Sequence, residues 1–182
     1  MHGKIELIIG CMFAGKTTEL LRRANRFKHT TKSSIVVKSS KDTRYDKNKV
    51  MTHDKNSSHA IICTNLEEIF ESLLNYDVIC IDEGHFYEDL YSCVVKLADV
   101  ENKHVIIAGL DGTFNREPFE QICNLIPHAE NVTKLRAICK NEGCDNEASF
   151  TFRKNKNTIK ELVGGYDLYV PLCRVCYKNL NK

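Results

Sequence analysis

Residues 10–17 read Gly-Cys-Met-Phe-Ala-Gly-Lys-Thr, which matches the phosphate-binding pattern G-x-x-x-x-G-K-T. The apolar run at residues 5–9 predicts a buried strand before this stretch, and apolar residues one helical turn apart predict a helix from Thr17. In a strand–loop–helix unit the glycines allow a tight turn, and backbone N–H groups at the helix start face an anion. The stretch therefore predicts a nucleotide-binding α/β fold with a phosphate site at residues 10–18.

Four side chains in and near this unit predict phosphoryl chemistry. Lys16 would reach the β- and γ-phosphates as a point charge, and the Thr17 hydroxyl would ligate the Mg²⁺ that bridges them. Asp82 and Glu83 follow an apolar run at residues 78–81, so a neighbouring strand would bring them to the loop, with Asp82 as the second Mg²⁺ ligand. Glu83 would then be the base that takes a proton from an alcohol, or from water in an ATPase. The plainer interpretation is an acidic strand end exposed to solvent.

Outward from the loop, strand and helix patterns alternate. Near-continuous apolar runs predict parallel strands, and spacings of three and four residues predict helices on both faces. A further helix would begin near Pro118 and stop before Pro127. The predicted strands lie at residues 34–38, 60–63, 78–81, 105–108 and 132–138, and the helices at residues 66–74 and 88–100. We expect an α/β domain over residues 1–138.

Four cysteines after this domain have the spacing of a zinc site. Cys139 and Cys144 are separated by four residues, and Cys173 and Cys176 by two. The polar segment between the pairs holds too little apolar surface to fold alone, so we expect structural Zn²⁺ to hold a lobe over residues 139–182. Scattered free cysteines are the alternative, and this is the expected state of the others: Cys11, Cys63, Cys80, Cys93 and Cys123. Isolated histidines such as His85 and His104 predict no catalytic metal site.

Composition narrows the class of protein. The chain has 182 residues, a net charge of +2, 42% hydrophobic and 27% charged residues, which predicts one folded module rather than disorder. No apolar run is long enough for a membrane helix, and no signal-peptide pattern begins the chain. We expect an intracellular protein without a membrane or nucleic-acid partner.

Several motifs in order resemble type II thymidine kinases over almost the whole chain. They are the phosphate loop, I-D-E-G-H-F-Y at residues 81–87, L-D-G-T-F-N-R-E-P-F at residues 110–119, and the cysteine pairs. Shorter matches are D-T-R at residues 42–44, T-H-D at residues 52–54, and Gly164-Gly165 with Tyr169. The resemblance implies a P-loop, RecA-like parallel sheet with a small zinc-binding lobe. That lobe would carry a lasso loop, residues 160–164, over the nucleoside.

The resemblance also implies a reaction and its participants. ATP with Mg²⁺ would phosphorylate the 5′-hydroxyl of deoxythymidine, with deoxyuridine as a second substrate, to supply dTMP by nucleotide salvage for DNA synthesis. A homotetramer, feedback inhibition by dTTP and a cytoplasmic location, or the host cytoplasm for a viral protein, follow from the same resemblance.

Site residues carry over by position. Glu83 is similar to the family's general base, and its phosphate-binding positions correspond to Gly10, Cys11, Met12, Phe13, Ala14, Gly15, Lys16, Thr17, Thr18, Asp42, Thr43, Arg44, Asp82 and His85. Without the resemblance, residues 42–44 would be interpreted as a solvated charged turn. The nucleoside pocket corresponds to Met12, Leu110, Phe114, Phe119, Thr151, Lys160, Glu161, Leu162, Val163, Gly164 and Tyr169. Its apolar members are equally compatible with an ordinary core.

The chain departs from the family pattern at four places. Cys11 replaces a proline, His85 replaces a glutamine, Lys160 replaces an apolar residue of the lasso loop, and the first cysteine pair is more widely spaced. His85 could therefore change the pH response near neutrality.

Two other classes of protein share some of these features. A nucleic-acid-remodelling ATPase could use the lobe as its binding module, since Lys140, Arg153, Lys154, Lys156 and Lys160 make it basic. Such motors usually need a second large domain, which a chain of this length lacks room for. A non-catalytic zinc protein with a nucleotide-binding loop is disfavoured by the intact set of Lys16, Thr17, Asp82 and Glu83.

Overall fold

The apolar runs of the sequence assemble into one seven-stranded sheet. The structure, a computed structural model, describes residues 2–42, 49–51, 57–155 and 164–181. The strands of this sheet are β1 (Lys4–Gly10), β2 (Ser34–Ser39), β3 (Lys49–Met51), β4 (Ser57–Cys63), β5 (Val78–Asp82), β6 (His104–Gly109) and β7 (Asn131–Leu135). Their order across the sheet is β3-β4-β2-β5-β6-β1-β7, with β3 antiparallel to β4 and the other six strands parallel. The predicted parallel α/β sheet is confirmed.

Both faces of the sheet are covered, as near-continuous apolar strands require. On one face Ile8, Cys80 and Ile106 pack against the helix α1 (Lys16–Phe27). On the other, Leu7 and Ile79 belong to the larger core cluster. That cluster includes apolar side chains of α2 (Phe70–Leu73), α3 (Leu90–Val95) and α4 (Glu120–Cys123). The carboxyl ends of the parallel strands meet at one edge, where ligands bind in open α/β sheets.

The predicted helices bury the expected residues but are shorter and less regular. The pattern at residues 66–74 forms a 3₁₀ turn, Glu67–Ile69, followed by α2, while Leu66, Phe70 and Leu73 are buried. The pattern at residues 88–100 becomes α3 followed by a π turn, Lys96–Val100. Apolar spacing reports which side chains face the core and does not distinguish these windings.

The helix expected near Pro118 begins at Glu120, after the extended Phe119, so Pro118 lies outside its first turn. As expected, this helix, α4, ends before Pro127. Pro127 lies in the first turn of a separate 3₁₀ helix, Ile126–His128. A proline in the first turn of a helix loses no backbone hydrogen bond, so it is tolerated there.

The strand expected over residues 132–138 is divided between two sheets. It breaks at Arg136 into β7 and β8 (Ala137–Ile138), and β8 pairs antiparallel with β9 (Glu147–Ala148). A second small sheet joins β10 (Phe150–Arg153) to β11 (Tyr169–Leu172), and α5 (Arg174–Leu180) follows. These elements surround their own apolar cluster, and we call them the small lobe.

None of the described helices is long and apolar enough to cross a membrane.

Candidate active site

The phosphate loop joins β1 to α1 with three residues at positive φ. Gly10 has φ 143°, and a Cβ there would lie 2.3 Å from the backbone oxygen of Leu135. Gly15, at φ 82°, directly precedes α1. Phe13 has φ 65°, a conformation that a residue with a side chain rarely adopts. The glycines thus stand where the motif predicts a tight turn, and the loop leads directly into the amino-terminal end of α1.

Lys16 and Thr17 begin α1 and point to different partners. The buried Lys16 ammonium donates a hydrogen bond to the backbone oxygen of Cys11, 2.8 Å away, and so spans the loop. The Thr17 hydroxyl donates to the carboxylate of Asp82, 3.0 and 3.1 Å from its two oxygens. Thr18 is exposed on the same turn. The predicted pairing of a loop hydroxyl with an acid on β5 is therefore present.

Asp82 and Glu83 lie at the carboxyl end of β5. Asp82 is buried, and burial, followed by the negative charges of Glu83 and Asp42, raises its pKa from 3.8 to about 7. Glu83 has φ 50°, and its side chain is 12% exposed. The interpretation of this pair as a solvent-exposed strand end is wrong. Left-handed backbone at a non-glycine residue stores strain, which is characteristic of functional sites.

His85 connects Glu83 to the next strand. Its Nδ1 accepts a hydrogen bond from the backbone N–H of Leu110 at 3.3 Å and lies 3.6 Å from a Glu83 carboxylate oxygen. Because Nδ1 is an acceptor in this arrangement, the neutral ring carries its proton on Nε2. The ring also packs on Phe119, with 4.8 Å between centroids. His85 thus contacts both the candidate base and two candidate pocket residues.

A buried ion pair lies beside the acidic strand end, and sequence analysis did not single out its cation. Lys38 is the partner of Asp82 in the parallel register of β2 and β5, and its ammonium lies 3.5 Å from the Asp42 carboxylate. Both side chains are 4% exposed, so the interpretation of Asp42 as part of a solvated turn is wrong. Its neighbours Thr43 and Arg44 lie outside the described residues. Lys38 could have been noticed as a charged residue ending an apolar strand, the same signal that identified Asp82.

The candidate nucleoside residues fall into two groups. Met12 and Phe119 are buried and Leu110 is partly buried near the sheet edge. Thr151 is buried on β10, where its hydroxyl accepts a hydrogen bond from the Met12 N–H at 3.0 Å. The lasso residues Lys160, Glu161, Leu162 and Val163 lie outside the described residues, and Gly164 is the first described residue after them.

Arg153 contacts both Phe114 and Tyr169, although the sequence did not indicate that Arg153 belongs to the candidate pocket. The Arg153 guanidinium lies 3.8 Å from the centroid of the Phe114 ring and donates two hydrogen bonds to the Tyr169 hydroxyl, at 3.1 and 2.5 Å. Arg153 is 5% exposed. It is therefore not part of a basic surface, which removes one of the residues that favoured a nucleic-acid-binding lobe.

The four cysteines of the small lobe converge as predicted. The sulfur atoms of Cys139, Cys144, Cys173 and Cys176 all lie within 4.8 Å of one another, and all but the partly exposed Cys144 are buried. The pKa of Cys173 is lowered to about 7, mainly by a hydrogen bond from the Cys176 backbone N–H. A substantial fraction of this thiol is therefore thiolate near neutral pH. Four sulfur ligands at these separations can hold a metal ion, and a closed set of four thiolates suits zinc.

Comparisons with known proteins agree with this geometry. The model of the thymidine kinase family matches residues 3–177. The thymidine kinase 1 of Dictyostelium discoideum is 48% identical over 181 residues, which cover 97% of this chain and 78% of that protein. The thymidine kinase of vaccinia virus, strain Western Reserve, is 46% identical over 175 residues, 96% of this chain and 97% of the viral protein. The thymidine kinase of variola virus is 45% identical over 175 residues, which cover 96% of this chain and 97% of the viral protein.

Proposed function

Since this chain belongs to the thymidine kinase family and phosphorylates thymidine, we propose that Glu83 is the general base of that reaction. Glu83 would accept the proton of the 5′-hydroxyl as its oxygen attacks the γ-phosphorus of ATP. The bond from that phosphorus to the bridging oxygen then breaks, and ADP leaves with dTMP as the second product. The observation that supports this proposal is the hydrogen bond from Thr17 to Asp82, because Glu83 is the next residue and so lies near the phosphate loop.

The phosphate side of the site is assigned to the loop and its neighbours. Residues 10–18 would surround the phosphates of ATP, with the Lys16 ammonium moving from the Cys11 oxygen to the phosphate charge. Asp42, Thr43, Arg44 and His85 would complete this side. Thr17 and Asp82 fit Mg²⁺ because a hydroxyl and a carboxylate oxygen are hard ligands already in contact. When bound, this ion would neutralise charge on the phosphates.

The nucleoside side is assigned to residues from both parts of the chain. Met12, Leu110, Phe114 and Phe119 would form the apolar wall against a flat base, with Thr151 near its 5-methyl group. Backbone groups of residues 160–164, together with Tyr169, would hold the base and sugar. A single methyl group in an apolar pocket is worth about 1 to 3 kcal/mol, so deoxyuridine is proposed as a weaker substrate.

The small lobe would complete this site from residues 139–182, following a kinase domain at residues 1–138. Structural Zn²⁺ at its four cysteines would hold the small sheets together. Assembly as a homotetramer, feedback inhibition by dTTP and a cytoplasmic location are proposed from the family.

The test of this function compares the unaltered chain with Glu83→Gln. We expect dTMP formation from ATP, Mg²⁺ and thymidine to fall about 10² to 10⁴-fold, the range for losing a general base. ADP and thymidine should still bind, because the amide keeps the shape of the carboxylate. Glu88→Gln, an exposed residue of the same segment, is the matched control. Full activity of Glu83→Gln would remove Glu83 from the role of base.

A further inference from the structure

Three consecutive residues of the phosphate loop contact the small lobe. The Cys11 thiol donates to the backbone oxygen of Ala148 at 3.3 Å, and the Met12 N–H donates to the Thr151 hydroxyl at 3.0 Å. The Phe13 ring stacks on Tyr166, with 3.7 Å between centroids and 13° between planes. These contacts involve β9, β10 and the turn before β11, so the loop is docked along its first half.

The stacked pair includes the residue with the least favourable backbone in the loop. At φ 65° Phe13 lies in the left-handed region, whereas the other positive-φ positions of the loop, Gly10 and Gly15, are glycines that adopt it freely. A strained residue keeps such a conformation only where its surroundings hold it. The flat contact with Tyr166 holds the side chain, and the hydrogen bond to Thr151 holds the preceding amide.

Tyr166 is itself fixed independently of the loop. It lies in a turn in which the backbone N–H groups of Leu168 and Tyr169 both donate to the Gly165 oxygen, at 3.1 and 2.9 Å. Asp167 accepts a further bond from the Gly165 N–H at 3.0 Å, and Lys154 donates to the backbone oxygen of Tyr166. This turn leads directly into β11, which carries the candidate pocket residue Tyr169.

We propose that Tyr166 is a positioning residue for nucleotide binding, acting through Phe13 to hold the phosphate loop in its binding conformation. Thr151 acts in the same way through Met12. The affinity of the loop for nucleotide therefore depends on the small lobe even when no nucleoside is bound. This inference rests on the proposed role of residues 10–18 in holding phosphates.

The experiment measures ADP binding by calorimetry in the presence of Mg²⁺ and the absence of nucleoside, on protein of verified zinc content. We expect Tyr166→Ser to weaken ADP binding about three- to tenfold, the scale of one aromatic pair, and Tyr166→Phe to bind as the unaltered chain does. Phe13→Leu should weaken it similarly, and the double variant should be no weaker than either single one. Tyr166 is 48% exposed, so its replacement should leave the melting temperature nearly unchanged.

The kinetic counterpart separates positioning from a merely structural effect. In Tyr166→Ser we expect the KM for ATP to rise while the KM for thymidine and the zinc content stay the same. Unchanged ADP binding in Tyr166→Ser, or losses that add fully in the double variant, would overturn the positioning role alone. Failure of the unaltered chain to bind ADP would instead overturn both this inference and the assignment of residues 10–18.

Discussion

The hydroxyl of Thr17 lies 3.0 Å from one carboxylate oxygen of Asp82 and 3.1 Å from the other, and it joins the first turn of α1 to the end of β5. Two oxygen ligands of the kind that Mg²⁺ takes are thus adjacent before any ion binds. Because Glu83 follows Asp82 directly, the contact also keeps Glu83 near the phosphate loop.

Replacing Asp82 by Asn should remove the charge that we propose holds Mg²⁺. We expect kcat to fall at least about a hundredfold, because the amide is a poor ligand for the ion that stabilises the transferring phosphoryl group. Binding of ADP without Mg²⁺ should be nearly unchanged. Initial rates over a Mg²⁺ titration, with Thr17→Ser as a control that keeps the hydroxyl, measure this effect. An unaltered Mg²⁺ dependence in Asp82→Asn would contradict the assignment.

The same residue should make stability depend on pH. Burial and neighbouring carboxylates raise the pKa of Asp82 from 3.8 to about 7, so the folded chain retains a proton that the unfolded chain has already lost. The contribution of Asp82 to stability therefore falls as pH rises through that window and is least favourable above it. In Mg²⁺-free buffer, Asp82→Asn should be more stable than the unaltered chain near about pH 8, on the order of a few kcal/mol. Denaturant unfolding should show this difference vanishing toward about pH 4; an advantage independent of pH would show that ionisation is not its cause.

Removal of one cysteine of the proposed zinc site should loosen the small lobe more than the main sheet. Cys144→Ser takes away the most accessible of the four sulfurs, and we expect lower zinc content and weaker protection of β10, β11 and α5 against hydrogen exchange. Strands β1, β5 and β6 should keep their protection, because their core cluster is separate. Cys123→Ser, a partly buried cysteine outside the cluster, is the matched control. Equal loss of protection in both parts would mean that they unfold as one unit.

His85 should give the reaction an added dependence on pH. Protonation of Nδ1 would break its bond from Leu110 and turn it into a donor toward Glu83, which would weaken Glu83 in its proposed role as base. We therefore expect the fall of kcat on the acid side of its pH profile to be less steep in His85→Gln, since glutamine does not titrate. His29→Gln, at an exposed position, serves as the control. Identical profiles for the two variants would exclude this role of His85.

Local patterns predicted the parts of the fold that depend on local physics. The strands at residues 78–81 and 105–108 were found because an apolar run long enough for a strand and flanked by polar residues is buried on both faces. The phosphate loop was found because its glycines and Lys16 have fixed spacing. Helix winding was missed because apolar spacing shows only which side faces the core.

Contacts between distant segments account for the rest. Lys38 precedes Asp42 by four residues, but only the pairing of β2 with β5 shows that this ion pair is buried beside Asp82, so the charge of Asp42 suggested solvent. Arg153 looked like part of a basic surface because its aromatic partners come from residues far away in the chain. The resemblance to a known family supplied the pocket positions that neither spacing nor composition could indicate.

The pairing of β1 has a consequence for the synthesis of this protein. Lys4 pairs with His104 and Glu6 with Asn131, so β1 leaves the ribosome before the two strands that flank it in the sheet, β6 and β7, have been synthesised. Docking of Cys11, Met12 and Phe13 requires still later segments. Nascent chains released early would thus lack a nucleotide site altogether, and ribosome-bound fragments should acquire ADP binding only after the small lobe has emerged.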